Sequence, residues 1–213
     1  MKLEIQKSKQ VSKYQEELKK VAASAYNDVS ALLPIEGVKI FIRHDPSSAI
    51  PELGVGGYSP DGDEIYVAVD ASHPKFESFV IPNIYRTLLH EMHHTARWRG
   101  PGYGETLLEA LVTEGLADHF ELEITNNSPQ PWDEALSAEQ ERALFDRAIE
   151  ELNNNKYSHE DWFYGSEKRK IPRWTGYTLG FNIVGEYLRK NPDKKPSALY
   201  SCDARDIYGS HKG

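Results

Sequence analysis

The chain of 213 residues has a single cysteine, Cys202, and so cannot form an internal disulfide. Nothing in it asks for an oxidising compartment. It has no apolar window near the roughly 18 residues that a membrane helix needs, and its first residues, Met1-Lys2-Leu3-Glu4-Ile5-Gln6-Lys7, are charged and interrupted, unlike a signal peptide. The expected location is the cytoplasm, and a membrane partner is not expected. It also lacks a basic excess. The formal net charge is -8, spread along the chain without an acidic tail or a basic block. Such a chain repels phosphate backbones, so nucleic acid is not an expected partner. Repeats, low-complexity tracts and long linkers are missing too, and one domain over residues 1–213 is the expectation.

Apolar residues make up 39% and charged residues 27%, a globular composition, with four Trp, twelve Tyr and seven Phe to fill a core. Val11, Tyr14, Leu18, Val21, Ala25, Val29 and Leu32 recur at three- and four-residue steps, which predicts an amphipathic helix over 7–32, ended by Pro34 and Gly37. Residues 38–42 read as a strand. Residues 54–58 and 64–69 read as a hairpin around Ser59-Pro60-Asp61-Gly62-Asp63, and residues 70–74 as a polar loop. Further helices are predicted over 82–99, with Pro82 in the first turn, and over 105–124. Another covers 137–152, with Ser137 and Gln140 as a capping box, and a last one 175–190, closed by Asn191-Pro192. Residues 153–173 read as irregular, and the last twenty residues give no clear pattern. A small sheet in the first half and helices in the second make an α+β protein.

The chemistry centres on Leu89-His90-Glu91-Met92-His93-His94. At about 100° per residue, His90 and His94 share a helical face one turn apart, so both imidazoles can reach one ion. Glu91 follows the first His, where a general base must stand to take a proton from a metal-activated water. The flanking Ile84, Leu88, Leu89, Met92 and Trp98 argue for a partly buried helix, where three His and a Glu in five residues are costly without a role. His93 competes as a ligand, because i and i+3 also share a face.

Catalytic zinc takes three protein ligands and keeps an open position. The metzincin pattern fails, because Arg97 and Gly100 stand where it needs Gly and His. The inverted H-x-x-E-H order fails because position 93 is His. A Glu on the following helix is the remaining choice, and Thr113-Glu114-Gly115-Leu116-Ala117-Asp118 offers Glu114, with Asp118 one turn on to accept the second N–H of a ligating His. Glu109 is the rival. It lies about 140° around the same helix from Glu114, so only one of the two can face a metal, and solvent exposure is expected for Glu109.

His90-Glu91-x-x-His94 followed by Glu114-x-x-x-Asp118 resembles the gluzincin pattern of thermolysin-like peptidases. The longer segments 88–94 and 107–118 resemble a family of bacterial zinc-dependent proteases predicted from sequence and labelled a domain of unknown function. Gly56-Gly57-Tyr58 and Gly176-Tyr177-x-x-Gly180 extend the likeness over roughly residues 50–190. The resemblance implies a zincin-like α+β fold with a small antiparallel or mixed sheet, one zinc per chain and a peptide or protein substrate. It also implies a Tyr or His beside the oxyanion. Tyr177 is the candidate, set against a plain core tyrosine, with Tyr103, His119 and His159 behind it. Gly56, Gly57 and Tyr58 form either an edge strand that receives a peptide or a simple hairpin. Arg173 is set between a substrate carboxylate and the open surface, and Cys202 is read as an inert thiol. A zinc-binding domain without turnover and a hydrolase of non-peptide amides are the competing functions.

Overall fold

Alternation of apolar and polar side chains builds the sheet. In a computed structural model of the chain, which describes residues 1–209, four strands form: β1 (Lys2–Ile5), β2 (Lys39–His44), β3 (Val55–Tyr58) and β4 (Glu64–Val69). Their order is β1-β2-β4-β3. β1 and β4 run parallel to β2, and β3 runs antiparallel to β4, so the sheet is mixed and the expected hairpin is present. Ile40, Ile42, Ile65, Val67 and Val69 point to the buried face. On the other face Phe41 stacks on Tyr66, with ring centroids 5.0 Å apart. β1 was not expected. It is an edge strand whose residues alternate between exposed and half-buried, which leaves little apolar signal to read, and it exists through its pairing with β2.

Two compact units contain the chain, Met1–Arg99 and the residues from Gly100 onward. In the first, the helix expected over 7–32 is two pieces, α1 (Lys9–Ser12) and α2 (Gln15–Ser30). The backbone leaves the helical path at Tyr14 (φ -113°, ψ 15°), whose ring stacks on Phe76. A π-helical turn, Phe76–Val80, leads into α3 (Ile81–Trp98), which carries Pro82 in its first turn as expected. α3 lays Ile84, Leu88, Leu89, Met92 and Ala96 into the core and packs on α2 and on β3.

In the second unit, α4 (Leu107–Thr125) begins at a capping box that the sequence reading missed. Thr106 accepts from the Glu109 N–H, and the Glu109 carboxylate accepts from the Thr106 N–H. Glu109 is therefore half-buried in a cap, not solvent-exposed as expected. α5 (Ala138–Glu151) has the expected box of Ser137 and Gln140. The stretch 153–173 holds a short helix, α6 (His159–Phe163), and a bridge between Ser166 and Ile171, both too short to leave a periodic signal. α7 (Thr175–Lys190) falls at its expected bounds, and α8 (Ala204–Gly209) lies in the tail that gave no pattern. α4 and α7 meet through glycine. A Cβ on Gly115 would collide with the Gly180 carbonyl, and one on Gly180 with the Leu111 carbonyl. Leu111, Leu116, Trp162, Phe163, Leu179 and Val184 belong to the core around that contact. The whole is an α+β fold. Among the described residues, no helix is long and apolar enough to cross a membrane.

Candidate metal centre

α3 supplies two imidazoles. His90 is half-buried and His94 buried; i, i+4 spacing puts them on one face, and their rings stand perpendicular with centroids 4.5 Å apart. Glu91, between them in sequence, is 6% exposed. Its backbone carbonyl accepts from Ser59 Oγ at 3.0 Å and from Thr95 Oγ1 at 3.1 Å. Its side chain lies against β3. A Cβ on Gly57 would stand 2.6 Å from Glu91 Cγ, from Glu91 Oε1 and from Thr87 Cγ2. Glycine at position 57 is thus what lets the strand come up to the carboxylate. Gly56 is similarly tight against the Ser48 main chain. Tyr58, at the end of β3, is 65% exposed.

β3 is an edge strand, and its ladder decides which peptide groups face outward. The Asp70 N–H donates to the Gly54 carbonyl, so Gly54, Gly56 and Tyr58 bond to β4 and the alternate residues Val55 and Gly57 face the open side. The Val55 carbonyl is taken by the Ile50 N–H. Gly57, beside Glu91, also has its amide on the open side.

α4 supplies a carboxylate. Glu114 is 5% exposed, and Tyr103 donates its hydroxyl to Glu114 Oε1 at 2.6 Å. Burial, and after it the Glu114 charge, holds the Tyr103 phenol well above its usual pKa. The same two causes, in the same order, push Tyr157 up to about 12. Burial lowers the pKa of His159 against the opposing pull of Glu114. His159 stacks on Phe163 one turn on, with centroids 4.2 Å apart, and pairs with the Tyr157 hydroxyl at 3.2 Å. Tyr177 is half-buried, with its ring perpendicular to Phe163 at 5.0 Å. Asp118 is buried, and its Oδ1 accepts from the Trp132 indole N–H at 3.1 Å. His119 Nε2 bonds to the Phe181 carbonyl at 2.9 Å, which accounts for that residue structurally. Arg173 is exposed and lies over the Trp174 ring, 4.0 Å from its centroid.

His90, His94 and Glu114 form a group that could hold a metal ion: one donor atom from each, all within 4.8 Å of one another. His93, fully buried, is not a member of that group. Two imidazole nitrogens and one carboxylate oxygen are the donor set of a three-ligand zinc site, with bonds near 2.0–2.2 Å, and the residues present fit it. Tyr103, a secondary candidate in the sequence, contacts Glu114 directly, and His159 and Tyr157, the latter without a motif of its own, feel the Glu114 charge. The readable signal was the pair of glycines flanking Tyr103.

Fold and site thus define an α+β protein with a His/His/Glu group able to take a metal ion. The chain belongs to the family described as "Predicted Zn-dependent protease (DUF2268)", which it matches over residues 18–209. It is similar to the uncharacterised protein YjaZ of Bacillus subtilis (strain 168), with 31% identity over 108 residues, 47% of this chain. The match spans 41% of that relative's length. No solved structure gives a significant match.

Proposed function

We propose that the chain is a zinc-dependent metallopeptidase of the gluzincin type, in which His90, His94 and Glu114 hold the ion and Glu91 is the general base. The observation that carries this reading is the donor group itself, completed by a buried carboxylate one residue after His90. When bound, zinc supplies Lewis acidity to a water and to the scissile carbonyl. Glu91 takes a proton from the attacking water and passes it to the leaving amine. Its tight seat against Gly57 and Thr87 restricts where its carboxylate can go, which favours one orientation over many. Tyr177 is proposed as the donor to the oxyanion, and Asp118 as the group that orients a ligating imidazole.

A peptide substrate would lie along β3. The outward amide of Gly57 can pair with an extended main chain next to Glu91, with Gly56 and Tyr58 flanking it. The lone Cys202 suits a reducing compartment, and the cytoplasm is the proposed location.

The test is elemental analysis together with hydrolysis of a fluorogenic peptide library, on wild type, Glu91→Gln and Glu114→Ala. About one zinc per chain is expected in wild type and in Glu91→Gln, with a large loss in Glu114→Ala. Turnover should fall roughly 10²- to 10⁴-fold in Glu91→Gln. Zinc without hydrolysis of any peptide in wild type would favour a silent zinc-binding domain. Full turnover in Glu91→Gln would remove Glu91 from its role.

A further inference from the structure

We propose that Tyr103, presented on a glycine-flanked loop, is a positioning residue that holds the Glu114 carboxylate for metal ligation. This rests on the metal reading given above. The contact is a 2.6 Å O–H···O bond from the phenol to Glu114 Oε1, within the range of charge-assisted bonds to a carboxylate. Glu114 can use either oxygen as a ligand. With Oε1 engaged by the phenol, rotation of the carboxylate is restrained and its ligand atom is held ready rather than ordered at binding.

The loop is built to deliver this hydroxyl. Gly102 (φ 86°) and Gly104 (φ 98°) both lie in the left-handed region, where other residues are strained. A Cβ on Gly104 would also run into the Glu109 side chain. Past the second glycine, the Glu105 and Thr106 N–H groups donate to Glu109 Oε2, each at 2.9 Å. Tyr103 itself is tied back to α4, since Thr113 Oγ1 donates to its carbonyl at 3.0 Å. Thr113 immediately precedes Glu114. The main chain and the side chain of Tyr103 are therefore anchored to adjacent residues of the helix that carries the ligand. A tyrosine serving only to fill space would need its ring, and neither the hydroxyl nor these tethers.

The experiment measures zinc affinity by competition with a chromophoric chelator, and the visible spectrum of the cobalt-loaded protein. Wild type, Tyr103→Phe, Thr113→Val and Glu114→Ala are compared, with circular dichroism of each metal-free protein to check folding. Tyr103→Phe keeps the ring and should weaken zinc binding about 10- to 100-fold. It should also shift the cobalt bands, which a merely structural role would not do. Thr113→Val keeps the phenol and loosens the loop, and should weaken binding roughly 3- to 10-fold. Wild-type affinity and an unchanged cobalt spectrum in Tyr103→Phe, with metal lost in Glu114→Ala, would overturn the role of Tyr103 and leave the metal site standing. Wild-type metal binding in Glu114→Ala would sink the metal reading itself and this inference with it. If Tyr103→Phe does not fold, Thr113→Val decides, and wild-type affinity there refutes the proposal.

Discussion

Replacing Gly57 with Ala tests the contact between β3 and Glu91, the proposed base. The added methyl would stand 2.6 Å from Glu91 Cγ, Glu91 Oε1 and Thr87 Cγ2, whereas ordinary contact begins at about 3.4 Å. Something must move by about 0.8 Å. Thr87 is β-branched on a helix, with few rotamers to choose from, and Glu91 is buried, so neither yields freely. Overpacking of this kind destabilises by about 1–3 kcal/mol. In a chain of this size that lowers the thermal midpoint by roughly 2–12 °C. The catalytic effect should be larger in proportion. A displacement near 1 Å at a reacting group can cost about 10²-fold in rate, so a loss of roughly 30- to 100-fold in kcat/KM is expected, equal to about 2–3 kcal/mol of barrier. Zinc content should stay at the wild-type level, because the clash falls on Glu91 and not on one of the proposed ligands. The assays are a thermal melt, elemental analysis and peptide hydrolysis, with Gly209→Ala, whose methyl would meet nothing within 4 Å, as the control. A Gly57→Ala protein with wild-type midpoint and wild-type turnover would refute the reasoning. Loss of zinc along with turnover would place the damage at the metal instead.

Gly115→Ala should destabilise by more than about 2 kcal/mol in urea unfolding, because its methyl meets the Gly180 backbone, which cannot rotate away. A change below about 0.5 kcal/mol would contradict the close approach of α4 and α7. Glu109→Ala removes the acceptor of three hydrogen bonds at the start of α4 and should lower stability by about 1 kcal/mol, read from the same titration, without altering zinc stoichiometry. Burial lowers the pKa of His119 below its ordinary 6.5, partly offset by the Phe181 carbonyl and the Asp118 charge. The unfolded chain then binds a proton that the folded one refuses. Stability should fall as pH drops below about 6.5 and level off below the folded-state pKa. His119→Gln should flatten that part of the stability–pH curve, and an unchanged slope would acquit His119.

Much of the candidate site is legible in the sequence. The i, i+4 spacing of His90 and His94 settles that they share a face, because helical geometry has one period. The strong helices were equally plain. Residues 175–190 came out at their bounds, and the Ser137–Gln140 box stands as read, since a cap is a local bond between residues three apart. What was missed has little local signal or depends on a distant partner. β1 is half-exposed and needs β2 beside it. The break at Tyr14 comes with a ring stacked on Phe76, sixty-two positions along the chain. Glu109 looked like a solvent-facing rival to Glu114 until its carboxylate was found on the Thr106 and Glu105 amides.

The sequence by itself determined that His90 and His94 share a face with Glu91 beside them, because that follows from spacing on one helix, and it offered Glu114 on the next helix as the third member of the candidate group. Only the tertiary structure decided which neighbours these residues have: Gly57 against Glu91, Tyr103 on Glu114, Trp132 on Asp118. Such contacts join residues 11 to 34 positions apart through loops and strands. No periodicity records them, since they depend on where the backbone turns and on which side chains are small enough to let two segments touch.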